Sequence, residues 1–189
     1  MDVEAVEIFT SMLAIISLAG AVLLVVARLL SSRFPIAHRA GSAVADAAPW
    51  LSFLVAAGAT AGSLYFSEVA NFVPCRLCWF QRTAMYPLSV ILLVAAIRRD
   101  RGARWYVVPL AASGLLVSSY HYLLEWKPSL EGGACSAVGP ACADIWFREF
   151  GFVTLAFMAG AGFITIIVFS LVSFPEASEG SPRQGSELA

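Results

Sequence analysis

Charged side chains are scarce in this chain of 189 residues, 13% of the total against 59% apolar. The mean hydropathy is +0.79. So little charge excludes an ordinary soluble domain, in which roughly a quarter of residues are charged. The 12 basic and 13 acidic residues nearly cancel, to a net charge of −1, which excludes a broad electrostatic attraction to nucleic acid. An internal repeat, a dinucleotide-binding glycine fingerprint and a haem-attachment motif are also missing. Cysteine is sparse as well, with four in the chain, so each one's position matters.

What the sequence has is long uncharged apolar runs. Windows 8–27, 47–67, 105–124 and 152–174 are each long enough to cross a bilayer as a helix, and none contains Asp, Glu, Lys or Arg. A fifth run, 83–97, would cover only about 22 Å at 1.5 Å per residue, short of a hydrocarbon core of about 30 Å. Arg98, Arg99 and Arg101 block its extension on one side, so the helix is expected to begin near Leu77 and to include Cys78 and Arg82. The expected fold class is an all-α, polytopic helical membrane protein with five spans and no soluble domain.

Orientation follows from the basic residues of the short connections. Arg28, Arg33 and Arg39 follow the first span, and Arg98, Arg99, Arg101 and Arg104 follow the third. The alternate connections hold Arg76, Lys127 and Arg148. Seven against three predicts the N-terminus outside and the C-terminus in the cytoplasm. The first span is expected to be a retained helix rather than a signal peptide, because Asp2, Glu4 and Glu7 precede it and the arginines follow it. The segment 175–189, rich in Ser, Gly, Pro and Glu, is expected to be disordered. His38, in the inner connection, is expected to be solvated.

All four cysteines then fall on the outer side, where an even number suggests disulfides. Either pair alone reads as a structural staple. Cys75 and Cys78, however, are three apart at the start of a helix, so their disulfide would close a very small loop and contribute little chain entropy. Such pairs at helix N-termini carry lowered thiolate pKa values and exchange readily. Arg82 lies four residues past Cys78 and seven past Cys75, on the same face and one turn deeper. It reads either as a snorkelling arginine or as a fixed cation favouring the Cys78 thiolate and an anionic electron acceptor.

Cys135 and Cys142 lie in "EGGACSAVGPACADIW", a loop free of helical constraint, where a disulfide is reachable by a soluble thiol and able to swing toward Cys75. Trp146, Phe147 and Phe150 after it are expected to rest on the membrane interface. His121, in "SSYHYLLEWKP", reads either as a packing residue or, at the depth of Arg82, as a donor to the oxygens of a quinone-like head group.

"CRLCWFQRTAMYPL", the downstream "YHY" and "CSAVGPACADIWFREFGF" resemble the DsbB family of membrane thiol:quinone oxidoreductases, especially its BdbC-like members. The resemblance covers 47–174 and implies a four-helix core there, preceded by an extra N-terminal helix with a basic connection (1–46) and followed by a tail (175–189). It implies an enzyme of the bacterial cytoplasmic membrane that reoxidises a secreted, DsbA-like thioredoxin-fold oxidase. The DsbA–DsbB–quinone route is already a known example of how a bacterial periplasm is kept oxidising, and comes here with the family rather than from the residues. The catalytic residues implied are Cys75, Cys78, Cys135 and Cys142. The partner would attack Cys135, Cys142 would form an interloop disulfide with Cys75, and Cys78 would meet the quinone, either ubiquinone or menaquinone. Cys78, Arg82 and His121 are the implied quinone contacts, and no metal is required. The second pair, C-x6-C, is closer than in longer-loop members, and the first span has no family counterpart.

Three other readings compete. A four-thiolate zinc site is disfavoured by the spacing and by the Arg82 cation. A transporter with structural disulfides is disfavoured by spans without a buried acidic residue. A vitamin K epoxide reductase-like enzyme would carry its membrane C-x-x-C near the last spans.

Overall fold

In the computed structural model, residues 2–30, 35–131, 135 and 140–172 are described. Expectations for Arg33, for the rest of the Cys135–Cys142 loop, for the side chain of His38 and for 175–189 lie outside them. Five long helices carry the fold: α1 (Val3–Leu30), α2 (Pro35–Glu68), α3 (Arg76–Arg98), α4 (Arg104–Trp126) and α5 (Leu155–Val172). All five contain stretches long and apolar enough to cross a membrane. The chain is a multi-pass helical membrane protein.

The third helix begins at Arg76, and its 23 residues reach about 34 Å, enough for the hydrocarbon core. Two boundaries differ from expectation. The connection before residue 47 is helical from Pro35, continuous with the second span. Proline at the first helical position and the alanines at 37, 40, 43, 45, 47 and 48 favour that outcome. At 34 residues, about 51 Å, α2 is longer than the bilayer core is thick. The fourth helix runs past residue 124 and takes in Glu125, which is buried, so a buried acid lies at the end of a span after all.

The helices α2, α3, α4 and α5 form the core, each packed on its neighbour in the ring, and α1 lies outside against α5 and α2. Leu88 and Leu92 of α3, Val107 and Ala111 of α4, and Phe163 and Ile166 of α5 meet in the centre. Small residues set the helix separation. A Cβ on Gly114 would come within 2.3 Å of the Phe163 ring, so α4 presents bare backbone to that ring.

Two turns aim the elements. Arg99 takes a left-handed conformation (φ 52°) at the end of α3, and the N–H groups of Arg99 and Asp100 return to the carbonyls of Ala96 and Ala95. Asp100 then accepts from the Gly102 N–H at 2.8 Å and from the Tyr106 hydroxyl at 2.7 Å, turning the chain straight into α4. Before α5, Glu149 and Val153 pair as a small antiparallel bridge around Phe150 and Gly151, both at positive φ. This reversal uses Phe152 and Val153, which is why α5 starts at Leu155.

Candidate active site

Cys75 occupies the N-cap position of α3, with extended backbone, and its sulfur accepts from the Cys78 N–H at 3.3 Å. An ordinary helix start therefore holds the first cysteine one turn from the second, with their sulfurs 3.0 Å apart and both thiols free. Cys135 and Cys142 are joined as a disulfide. The two pairs meet: Cys75, Cys135 and Cys142 are buried in one cluster with Leu77 and Leu124, with Cys78 packed against it. Cys142 is fully buried and Cys135 nearly so, so the disulfide expected to be open to a soluble thiol is instead packed against Cys75, Leu77 and Leu124.

His121 joins the pairs. Its Nε2 lies 3.0 Å from the Cys142 carbonyl oxygen and 3.6 Å from the Cys75 sulfur. The Gln81 Nε2 amide donates to His121 Nδ1 at 3.0 Å, which leaves the ring proton on Nε2, directed at the cysteines. Glu131 accepts the Cys142 N–H at 2.7 Å and fixes the loop from its other side. One turn beyond His121, buried Glu125 accepts from the Thr154 hydroxyl at 2.6 Å. Glu125, His121, Cys75 and Cys78 border a cleft of about 10 Å³, room for about one water.

These contacts acidify Cys75. The hydrogen bond from the Cys78 thiol is the largest influence, and despite opposing burial, with His121 and the Cys78 N–H adding to it, the Cys75 thiol falls from 9.0 to about 4. The thiolate of the reduced pair therefore belongs to Cys75. Cys75 collects the Cys78 N–H and the His121 ring as donors, whereas the Arg82 cation lies on the Cys78 side.

Arg82 is buried, with 9% of its surface exposed, and does not snorkel. Its Nε donates to the Ser63 hydroxyl at 3.0 Å and its Nη2 to the Ser63 carbonyl at 2.9 Å, tying α3 to α2. The Trp79 ring lies 5.1 Å from the guanidinium carbon, and the Tyr86 hydroxyl reaches Ser63 at 3.4 Å. Arg82 borders a second, larger cavity of about 490 Å³ between α1, α2, α3 and α5. Its polar groups at this end include Cys78, Gln81, Arg82 and Ser63, and most of the remaining lining is apolar. Cys78 borders both spaces, whereas Cys75 borders only the cleft and His121 lies on the cleft side.

Of the residues expected at the site, the four cysteines come together and Arg82 lies beside Cys78. His121 faces the cysteines and not the large cavity, because the Cys142 carbonyl accepts a hydrogen bond from its Nε2. Phe147 is buried, 5.4 Å from Phe66, whereas Trp146, stacked on Phe72 at 4.8 Å, and Phe150 stay exposed. Gln81, Glu125, Ser63 and Glu131 carry site contacts that the residue pattern alone did not single out. Gln81 and Glu125 left a signal in helical spacing, three residues after Cys78 and four after His121. Ser63, in an Ala- and Gly-rich helix, left none.

The cavity has one polar end, where Arg82, Gln81 and Ser63 lie beside Cys78, and a mostly apolar remainder, a lining that suits an apolar molecule with a polar head. For a metal, Cys75, Cys78 and His121 offer three ligand atoms within 4.8 Å of one another. The four-thiolate zinc site has two of its sulfurs consumed in the Cys135–Cys142 disulfide.

The model of the disulfide bond formation protein DsbB family matches residues 45–173. The chain is 42% identical over 130 residues to the disulfide bond formation protein C of Bacillus subtilis (strain 168), covering 69% of this chain and 94% of that one. It is 47% identical over 120 residues to a probable disulfide formation protein of Oceanobacillus iheyensis, covering 62% of this chain and 82% of that one. A probable disulfide formation protein of Coxiella burnetii is 39% identical over 126 residues, covering 66% and 84%. No solved structure matches the chain.

Proposed function

The chain belongs to the DsbB family of disulfide bond formation proteins, a redox family, and from that premise we propose that it reoxidises a secreted thioredoxin-fold dithiol oxidase and passes the electrons to a membrane quinone. The observation that carries this reading is the position of Cys78 between the cysteine cleft and the apolar cavity, with Cys75 on the cleft side only.

The exchange steps balance without a metal. They start from the enzyme with both pairs oxidised. A thiolate of the partner attacks Cys135, forming a mixed disulfide and releasing Cys142 as thiolate. The partner's second thiol resolves that bond, leaving the partner oxidised and Cys135 and Cys142 reduced. The Cys142 thiolate attacks Cys75, forming the interloop bond while the Cys75–Cys78 bond breaks and Cys78 leaves as thiolate. Cys135 then attacks Cys142, restoring the second pair and releasing the Cys75 thiolate. His121, with its proton on Nε2 toward Cys75, stabilises that leaving group, and Glu131 holds Cys142 in line. Arg82, anchored on Ser63, supplies a fixed cation beside Cys78. A bound quinone would take up two electrons and two protons and leave as quinol, which returns Cys75 and Cys78 to the disulfide.

The arrangement requires the four cysteines on the extracytoplasmic face of the bacterial cytoplasmic membrane, with the N-terminus outside and the C-terminus inside. The count of seven basic residues against three supports that orientation.

The test is anaerobic quinone absorbance with purified protein, a reduced thioredoxin-fold oxidase and a soluble quinone. Quinone loss abolished in Cys78→Ser and in Cys135→Ser, with a raised quinone KM in Arg82→Ala, is expected. Intact disulfides and no quinone loss with several dithiol donors would sink the relay. So would one tightly held zinc per chain in freshly purified protein.

A further inference from the structure

The helix α1 lies outside the residues that match the family, yet it forms one wall of the large cavity. We propose that α1 builds the subsite for the hydrocarbon tail of the acceptor, a polyprenyl chain running away from Arg82 between α1, α2 and α5. This deepens the reading above and rests on it.

Three observations converge. First, α1 supplies one wall of the cavity. Its floor belongs to α3, where Arg82 and Met85 lie, and its sides belong to α2 and α5, the two helices on which α1 packs. Without α1 the space is an open groove on the family core.

Second, the cavity is polarised along its length. Thr10 of α1 stands opposite Gly62 of α2, next to Ser63 and the Arg82 guanidinium. Farther along, Leu24 of α1 packs with Ala48 and Phe169, beyond Gly20, which still borders the cavity. From residue 10 to residue 20 the helix rises about 15 Å, so the apolar part is a slot leading away from one polar end. A head group at Arg82 fills the polar end alone. The rest suits a flexible apolar chain attached to it.

Third, the slot is kept open by side chains that are absent. Ala14, Ser17 and Gly20 of α1 face it from one side and Gly58 of α2 from another. A Cβ added at Gly20 or Gly58 would meet nothing within 4 Å, so these glycines border space and not packed neighbours. In close-packed helices such space is normally filled. Substitutions there grow into the slot without displacing backbone, which makes them suitable probes.

The experiment uses the full-length protein with a reduced thioredoxin-fold oxidase as donor and two acceptors that share a head group, one tail-less and one long-tailed. In Gly20→Leu and Gly58→Leu, the ratio of kcat/KM for the tail-less over the long-tailed acceptor is expected to rise at least about tenfold, the discrimination that a changed apolar pocket reaches. A second readout needs no turnover. A long-tailed quinone carrying a photoreactive group in its tail should label peptides from Val3–Leu30. Excess long-tailed quinone should suppress that labelling and excess phospholipid should not. An unchanged ratio with labelling confined to other helices overturns the α1 subsite while leaving the acceptor reading intact. Labelling suppressed by phospholipid assigns the slot to a lipid acyl chain and overturns it equally. Wild-type protein that reduces neither acceptor removes the acceptor reading and this one with it.

Discussion

A thiol at a helix N-cap, with a neighbouring thiol, a backbone N–H and an imidazole N–H turned toward it, gives up its proton readily. At Cys75 the hydrogen bond from Cys78 dominates, His121 adds to it, and burial opposes both. Because the shift is downward, from 9.0 to about 4, the thiolate persists as pH falls from neutrality and is lost only as pH passes through about 4. By linkage, the reduced protein is stabilised in full above the ordinary thiol pKa, and that contribution falls progressively as the pH drops from about 9 to about 4. Thiolate absorbance of reduced protein, taken as a difference against Cys75→Ser, should therefore show a midpoint near pH 4, and a midpoint near 9 would contradict the geometry. In Gln81→Leu the ring nitrogen facing residue 81 loses its donor, and the imidazole is no longer held with its proton toward Cys75. The same titration should show a higher midpoint. Stranding that buried nitrogen should also cost about 1–3 kcal/mol, measurable as reduced thermal stability in detergent.

Between helices, fit is decided by small residues. Phe163 of α5 rests on the backbone of α4 at Gly114, where one methyl group would overlap the ring. Gly114→Ala is expected to destabilise the bundle by about 1–3 kcal/mol, the usual cost of forcing extra volume into a packed core. Gly58→Ala, with open space at the same atom, should be neutral or slightly stabilising, since alanine is the better helix former by about 1 kcal/mol. Equal loss of folded protein on heating both variants would refute the contact. The turn between α3 and α4 is fixed as locally as any in the chain, by the left-handed Arg99 and by Asp100, whose carboxyl is held below its usual pKa by the Tyr106 hydroxyl and then the Gly102 N–H.

Across the whole molecule, the five helices place the N-terminus of α3, the C-terminus of α4 and the cysteine loop at one end of the bundle, and the Arg99–Asp100 turn at the other. On the orientation proposed from the basic residues, that turn lies in the cytoplasm. In a background with every native cysteine replaced by serine, Ser129→Cys should react with a membrane-impermeant maleimide on intact cells, and Gly102→Cys should react only after the membrane is opened. The opposite pattern would invert the topology and move the cysteines away from any secreted partner.

The sequence by itself determined the number of spans, the start of α3 at the C-x-x-C pair and the grouping of Arg82 with Cys75 and Cys78. These follow from hydropathy, from a length requirement and from the 3.6-residue period, all of which act locally along the chain. The family was legible in the same stretch. Only the tertiary structure brought His121, forty-six residues away, to the Cys75 sulfur, where it adds to the local hydrogen bond from Cys78. It also turned His121 from the cavity to the cysteines, anchored Arg82 on Ser63 and set α1 across the groove between α2 and α5. Each of those outcomes rests on contacts between helices in an environment without water, where a buried polar group takes whichever partner the packing brings, and periodicity carries no record of that partner.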